Sequence, residues 1–322
     1  MMLALLLAAA LAAGAPATQQ LRVERSFDSM GTTYTIAAYG DDRFALESAI
    51  DNAFEEARRL DHLLSNYRED SEWSKVNRLA SHEAVPVSQE LFDLLAKCVE
   101  YSRASEGSFD ITVGPLMKVW GFYKGTGRVP HRAEIRDAMA RIGWQNIQLD
   151  AKARTVRFLR EGLNIDPGGI GKGYAVDRMV DVLRKGGLGS AIISAGRSSI
   201  YGIGAPPNEP RGWRVTLPDP RKLDKDVLEV FLKNESMSTS GTSEKFFTAG
   251  GQVYSHIMDP RTGFPAQGML AVSVMAPKTL DSEAWTKPYF VMGRSWTERH
   301  RPKEFRVFLC EDRSEIACVS LP

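Results

Sequence analysis

Between residues 21 and 64 the hydrophobic positions follow two different periods. In residues 21–39, apolar side chains such as Tyr34, Ile36 and Ala38 alternate with polar ones, which is typical of a β-strand. The segment Ser-Met-Gly-Thr at 29–32 interrupts this alternation. Residues 42–64 then place apolar side chains three and four positions apart, which predicts an amphipathic helix.

The rest of the chain mixes both periods without a regular order. Helices are predicted at 88–105, 132–142 and 282–292, and a glycine-rich turn at 166 leads into a helix that reaches 183. Strands are predicted at 147–149, 155–158, 191–203 (a strand and turn), 213–217, 271–276, 306–309 and 316–319, and loops at 65–77, 107–127 and 238–264. Because no β-α-β alternation appears, we expect the α/β class in its mixed α+β form, with mixed or antiparallel sheets flanked by helices.

The N-terminal segment differs from the rest in composition. Residues 2–13 are almost entirely Leu and Ala, and Ala-Pro-Ala follows at 15–17. This pattern predicts a signal peptide at 1–17 and an exported protein of the periplasm or cell envelope, although the segment lacks Lys and Arg. An ordinary apolar helix is the alternative. No Cys lies near the cleavage site, so no lipoprotein is expected, and 18–322 would form one domain, with two interlocked subdomains as a variant of that prediction.

The balance of charges limits which ligands and macromolecules are expected to bind, and the number of cysteines limits the possible disulfides. The chain has 41 basic and 40 acidic residues, so its net charge does not favour nucleic acid or an anionic membrane, and local groups must hold any anionic ligand. The three cysteines are Cys98, Cys310 and Cys318. An odd number leaves at least one unpaired or paired between chains, and Cys310 and Cys318 could bridge if they lie on adjacent strands.

Two segments carry the clearest candidate chemistry. Four glycines within 168–173, together with Lys172, open a helix, which suits a phosphate group; an ordinary tight turn is the alternative. Residues 254–263 place His256, Asp259 and Arg261 on one predicted loop, and the hydroxyl-rich segment 238–241 upstream is predicted to be a flexible hinge. Tyr67, in a polar loop, is suited to stacking on a flat heterocycle; packing over the end of the preceding helix is the alternative, which the residues alone slightly favour.

In order and wording, these segments resemble the FAD:protein FMN transferase (ApbE) family. The resemblance covers essentially the whole mature chain. It is carried by residues 29–32, 64–77, 109–116, 166–177, 239–241, 256–263 and 290–293.

The resemblance implies an ApbE-like fold with a central FAD cleft, and Mg²⁺-dependent transfer of FMN from FAD to a Thr or Ser hydroxyl, with release of AMP. The implied partners are FAD and an acceptor protein with a flavinylation motif, with membrane-associated redox subunits among the candidate acceptors. The implied catalytic residues are His256, Asp259 and Arg261. The implied FAD-binding residues are Met30, Tyr67, Asp110, Thr112, Asp166, Gly168, Gly169, Lys172, Thr239, Ser240, Gly241 and Glu244.

The metal site departs from the family pattern. Counting back from Gly293, the family's two side-chain ligands fall on Glu283 and Lys287, and the carbonyl of Gly169 matches the third ligand. A charged Lys has no lone pair to donate, so Lys287 would pair with Glu283 or lie against the diphosphate. Thr286 or Asp281 would supply an oxygen if the helix register shifts, and Pro288 is expected to kink the helix or to lie early in it.

Two functional hypotheses follow, one for an enzyme and one for a binding protein. The first is an active FMN transferase, favoured by His256, Asp259 and Arg261. The second is a binding protein that kept the FAD pocket but lost strong metal-dependent transfer, favoured by Lys287. An FAD pyrophosphatase, in which water replaces the acceptor hydroxyl, is a third alternative.

Overall fold

The structure is a computed structural model that describes residues 20–313 and 317–322, so the predicted signal peptide lies outside the described residues, as does the start of the predicted strand at 316. The helices are α1 (Arg43–Leu64), α2 (Glu72–Leu79), α3 (Gln89–Ala104), α4 (Gly114–Val119), α5 (Arg132–Met139), α6 (Gly171–Lys185), α7 (Thr279–Met292) and α8 (Arg294–His300). None of these described helices is long and apolar enough to cross a membrane.

Strands account for much of the remaining chain. They are β1 (Leu21–Ser29), β2 (Thr32–Gly40), β3 (Val85–Pro86), β4 (Ile147–Asp150), β5 (Thr155–Phe158), β6 (Ala191–Ala195), β7 (Ser199–Ile203), β8 (Trp213–Asp219), β9 (Lys222–Leu232), β10 (Glu235–Gly241), β11 (Phe246–Ala249), β12 (Gln252–Ser255), β13 (Met258–Asp259), β14 (Phe264–Pro265), β15 (Met269–Ala276), β16 (Arg306–Glu311) and β17 (Ala317–Leu321).

One eight-stranded sheet organises the molecule. Its order is β1-β2-β6-β7-β10-β15-β16-β17, and every neighbouring pair is antiparallel. The apolar stripes of α1 and α6 pack on its first strands, and α7 packs on β10 and β15. The predicted fold class, with antiparallel sheets flanked by helices, is confirmed.

The segment predicted as an interrupted strand forms a hairpin of β1 and β2, and its turn packs Met30 against the hydrophobic core. Met30 and Gly31 form its two-residue turn, with φ of 52° and 69°. Two positive φ values match the right-handed twist of a hairpin. The Tyr34 hydroxyl donates a hydrogen bond of 3.2 Å to the Met30 sulfur, so the Met30 side chain is held in place.

Helices α6 and α7 meet closely at their N-terminal ends, and this contact positions the candidate site. The Asp177 carboxylate accepts hydrogen bonds from the N–H groups of Thr279 and Leu280, at 2.7 and 2.9 Å, and so caps α7. A Cβ placed on Gly173 would lie 2.5 Å from the carbonyl oxygen of Thr279. Only glycine allows this approach of the two helices.

One difference from the sequence prediction bears on the site: the last four residues of strand β10 lie in the segment 238–264, which was predicted as a loop. Ser236, Ser238 and Ser240 face α7, and Met237 on the opposite face packs toward the β8–β9 hairpin. The alternation is that of a strand, but the face against α7 buries hydroxyls instead of apolar groups. The predicted hinge at 238–241 is therefore wrong.

Other differences are local. Helix α2 begins in the stretch 65–77, which has no clear period, and α4 forms within the predicted loop 107–127. Strand β9 was not predicted, and the short strands β11 to β14 form or begin in the segment 238–264, which was predicted as a loop. Pro288 lies in the interior of α7, not at its start. Cys310 and Cys318 face each other on β16 and β17 and are bridged, and Cys98 is buried and free.

Candidate functional site

A cavity lies where the glycine-rich turn before α6 meets α7 and the segment after β12. Its walls include Asp166, Gly168, Gly169, His256 and Lys287. Three distant segments of the sequence, around residues 168, 256 and 287, therefore meet in one place.

A second cavity, of about 360 Å³, has a wall that is hydrogen-bonded to the wall of the first through Asp166. The Asp166 carboxylate accepts from Asn66 Nδ2 at 3.1 Å and from the Tyr123 hydroxyl at 2.5 Å, and both of these residues line the second cavity. It also accepts from the N–H of Gly168 at 2.7 Å. Burial raises the pKa of Asp166 despite these donors.

Tyr67 lies in the wall of the second cavity and 79% of its surface is exposed. An exposed aromatic ring beside a cavity is available for stacking on a planar ligand. The predicted stacking role stays a prediction.

The glycine-rich turn presents backbone donors at its surface. The N–H of Gly171 donates to the carbonyl of Pro167 at 2.8 Å, and the N–H of Gly173 donates to the Glu283 carboxylate. Among the described residues, no acceptor is bonded to the N–H of Gly169 or of Lys172. A Cβ on Gly171 would lie 3.4 Å from the Met30 methyl carbon, so Met30 borders the turn.

On α7, Glu283 and Lys287 lie on the same helix face, as their spacing predicted, but they do not form an ion pair through the carboxylate. Glu283 is buried, and its carboxylate is held by the N–H of Gly173. Lys287 Nζ donates instead to the backbone carbonyl of Glu283, at 3.0 Å. Burial lowers the pKa of Lys287, and the nearby Glu283 carboxylate opposes that shift.

These residues do not fit a divalent ion bound as the resemblance implied. Lys287 offers donors where an oxygen ligand is needed. Both alternatives are engaged elsewhere: the Thr286 hydroxyl donates to the Glu283 carbonyl at 2.7 Å, and Asp281 accepts from the Tyr101 hydroxyl at 2.5 Å. Among the described residues there is no cluster of three or more His, Cys, Asp or Glu that could hold a metal ion.

His256 lines the cavity with a ring that is neutral at neutral pH. Burial lowers its pKa to about 4, Lys287 adds to that shift, and Glu244, 3.9 Å from Nε2, opposes it. Nδ1 lies 3.2 Å from the carbonyl oxygen of Lys245. When Nδ1 carries the proton and donates to that carbonyl, Nε2 keeps a lone pair and can accept a proton.

Asp259 and Arg261 satisfy each other. The guanidinium of Arg261 donates to both carboxylate oxygens of Asp259, at 2.9 and 2.8 Å. A third donor of Arg261 contacts the Met292 sulfur. The pair fixes the turn after β13, and its predicted catalytic role stays a prediction.

Asp110 and Thr112 are near the cavity, but their polar atoms are used by the chain itself. The Asp110 carboxylate accepts from the N–H groups of Thr112 and Trp144, at 2.8 and 2.9 Å, and burial raises its pKa to about 6. The Thr112 hydroxyl accepts from the N–H of Gly143 at 2.7 Å. Of the two, only Asp110 is part of the cavity wall.

The predicted nucleotide contacts on β10 are also engaged internally. The hydroxyls of Thr239 and Ser273 are 2.7 Å apart across two strands, and those of Ser240 and Thr286 are 2.8 Å apart. Gly241 lies opposite Ala271 in the ladder. Their contact with a nucleotide stays a prediction.

Asn66 and Tyr123 are not among the predicted site residues. Tyr123 lies in the aromatic-rich stretch 107–127, and Asn66 lies beside Tyr67 in a stretch that was selected. Both were visible as polar residues in informative segments. Their partnership with Asp166 depends on long-range folding, which no local pattern reveals.

Comparisons with known proteins agree with this geometry. The sequence model described as "ApbE family" matches residues 30–306. The FAD:protein FMN transferase of Klebsiella pneumoniae (strain 342) is 30% identical over 268 residues, which cover 82% of this chain and 80% of that protein. The FAD:protein FMN transferase of Treponema pallidum (strain Nichols) is 29% identical over 279 residues, covering 82% and 77%.

Solved structures show the same fold. The ApbE protein of Thermotoga maritima superposes with a TM-score of 0.83 at 28% identity, covering 92% of this chain and 96% of that one. The flavinyl transferase ApbE of Pseudomonas stutzeri, in its apo form, gives a TM-score of 0.82 at 28% identity, covering 94% and 95%. The predicted resemblance is confirmed, and this chain belongs to the ApbE family.

Proposed function

We propose that this chain transfers FMN from FAD to a Thr or Ser hydroxyl of an acceptor protein and releases AMP. The observation that carries the proposal is the convergence of the glycine-rich turn, His256 and Lys287 on one cavity. Donors that suit a diphosphate thus lie in the same walls as a neutral imidazole. The relatives named FAD:protein FMN transferase support the same activity.

In the proposed reaction the acceptor hydroxyl oxygen attacks the phosphorus of the FMN half of FAD. A bond forms between that oxygen and phosphorus, and the bond from phosphorus to the bridging oxygen breaks. AMP leaves with the bridging oxygen and its electron pair. His256 Nε2 accepts the hydroxyl proton, which its neutral state allows.

We place the FAD diphosphate beside the turn at 168–173 because this turn presents free N–H groups. Met30, which borders the turn, would contact the isoalloxazine, and Tyr67 in the wall of the second cavity would stack on a ring. Because the residues do not fit a Mg²⁺ site, the proposal assigns no step to a divalent ion.

For the partners, we propose an acceptor protein with a Thr or Ser flavinylation motif, with membrane-associated redox subunits as candidates. We also propose that the protein works in the periplasm or cell envelope. The Leu- and Ala-rich N-terminal sequence supports export, and the bridge between Cys310 and Cys318 is of a kind that persists in oxidising compartments.

Mass spectrometry of a Thr-bearing acceptor, after incubation with the protein and FAD, tests the proposal. We expect an FMN adduct on the acceptor and one AMP released per adduct. His256→Asn should lower the rate by about 10²- to 10⁴-fold. His82 is exposed and lines neither cavity, so the matched control His82→Asn should leave the rate unchanged.

Two outcomes would contradict the proposal. Release of FMN and AMP without an adduct would indicate a pyrophosphatase. Stable FAD binding without any turnover would indicate a binding protein.

A further inference from the structure

Lys287 is a cation placed over the glycine-rich turn. It lines the cavity together with Gly168 and Gly169, and a Cβ on Gly169 would lie 3.6 Å from Lys287 Cε. The side chain is anchored by one hydrogen bond, from Nζ to the carbonyl of Glu283 at 3.0 Å. An ammonium has three N–H donors, so two remain for a ligand.

The charge of Lys287 is not cancelled by a direct ion pair. The nearest acidic residue on its own helix face, Glu283, uses its carboxylate to accept from Gly173, and no other described carboxylate pairs with Nζ. The other charged groups that act on it are Lys172, which repels it, and Glu244, which attracts it. His256, across the cavity, is neutral at neutral pH.

An ammonium and a divalent ion can both stabilise the oxyanions of a diphosphate. Oxyanions of a diphosphate are stabilised by ammonium donors in a partly desolvated site, and an ion of charge +2 would be repelled by the same ammonium. The side-chain ligand position at 287 is lost as well, because a charged Lys supplies no lone pair.

From this geometry we infer that Lys287 replaces the divalent cation, so that this chain binds the FAD diphosphate and transfers FMN without a metal ion between Gly169 and α7. The inference rests on the proposed function for its transfer part. Its binding part requires only that the protein binds FAD, and it does not depend on the transfer reaction.

The experiment measures FAD binding, by flavin fluorescence, and FMN transfer, by mass spectrometry, in EDTA and in excess Mg²⁺. For the wild-type protein we expect dissociation constants within about twofold of each other, and transfer in both conditions. For Lys287→Thr, which restores an oxygen, we expect binding in EDTA to weaken by about tenfold or more and Mg²⁺ to restore it.

Three further variants serve as controls. Lys287→Arg should keep binding in EDTA, because it keeps the charge. Lys287→Met should lose binding in EDTA without rescue by Mg²⁺, because it offers neither charge nor oxygen. Lys185→Met, at the exposed far end of α6, should behave as wild type. Thermal melts identify any variant that has not folded.

The outcomes separate the inference from the proposed function. If the wild-type protein binds FAD or transfers FMN only with Mg²⁺, the inference is overturned and the transferase stands. If it binds FAD equally in EDTA but forms no adduct in any condition, the transferase proposal fails and the inference holds for binding. If FAD does not bind in either condition, both are overturned.

Discussion

Two acid–base pairs lie near the cavity and use their charges differently. At the end of β13 and in the turn that follows, Asp259 and Arg261 make a bidentate ion pair, so each cancels the other's charge. On α7, the carboxylate of Glu283 bonds to the N–H of Gly173, and the ammonium of Lys287 bonds to a backbone carbonyl. The sequence shows both pairs as an acid followed by a base. Only their geometry shows that Lys287 keeps a charge available for a ligand.

The difference follows from the lengths of the side chains and the positions of their neighbours. Arg261 is two residues from Asp259 across a tight turn, and its planar fork matches both carboxylate oxygens. Glu283 is instead drawn toward α6, where Gly173 allows its carboxylate to approach the backbone. We therefore expect the loop pair to contribute to stability and the α7 pair to ligand binding.

The largest effect that tests this comparison is that of Lys287→Met on FAD binding. Loss of charged hydrogen bonds to a diphosphate should cost about 2 kcal/mol or more, a weakening near thirtyfold. Arg261→Met, in the loop pair, should change the dissociation constant by less than about threefold, because its charge is already cancelled. Titration of flavin fluorescence measures both. Equal losses in the two variants would remove the distinction.

Gly173→Ala tests the contact that holds Glu283 away from Lys287. The added Cβ would lie 2.5 Å from the Thr279 carbonyl oxygen and 2.8 Å from the Glu283 carboxylate. We expect a lower free energy of unfolding, by about 2 kcal/mol, because the overpacking outweighs the better helix propensity of Ala. Denaturant unfolding measures it.

The control for that substitution is Gly189→Ala. A Cβ at Gly189 meets no atom within 4 Å, so stability should be unchanged or slightly higher. A stable Gly173→Ala protein would show that α6 and α7 are not fixed by this contact.

For Arg261→Met we expect a smaller loss of stability than for Gly173→Ala. Asp259 is 8% exposed and would lose its partner, but the Arg261 side chain is 40% exposed, so water would compensate in part. We expect about 1 kcal/mol. Lys287→Met should not lose stability, because an apolar side chain replaces a desolvated charge. Paired thermal melts compare the two, and a larger loss for Lys287→Met would reverse the roles assigned to them.

The smallest expected effect is that of pH on the transfer rate. With a pKa of about 4, His256 stays neutral from pH 7 to pH 5, so the rate should change by less than about twofold over that range. The rate should fall as the pH drops through about 4. An ordinary histidine would lose most of its activity below pH 6.5. A rate profile with an acid limb near pH 6.5 would contradict the environment assigned to His256.

The sequence predicts well those elements that bury apolar side chains. Helix α1 was predicted to within one residue because Leu46, Ile50, Ala53, Phe54 and Ala57 form a continuous buried stripe. Strand β10 could not be predicted in this way. Its buried face carries Ser236, Ser238 and Ser240, whose hydroxyls are satisfied by partners on α7 that come more than forty residues later.

The candidate site was predictable to a similar extent. Its segments could be selected from glycine content and from the resemblance, and the spacing placed Glu283 and Lys287 on one helix face. The hydrogen bonds of Asp166 to Asn66 and Tyr123 depend on long-range folding. The approach of Gly173 to Glu283 also depends on long-range folding. It engages the Glu283 carboxylate, so that Lys287 has no ion pair with it.

A crystal structure of the protein with FAD tests the central claim most directly. We expect the diphosphate within hydrogen-bond distance of Lys287 Nζ and of the free N–H groups at Gly169 and Lys172, with His256 Nε2 facing the phosphorus of the FMN half. A diphosphate bound away from this turn, or held by a metal ion that displaces Lys287, would contradict the account.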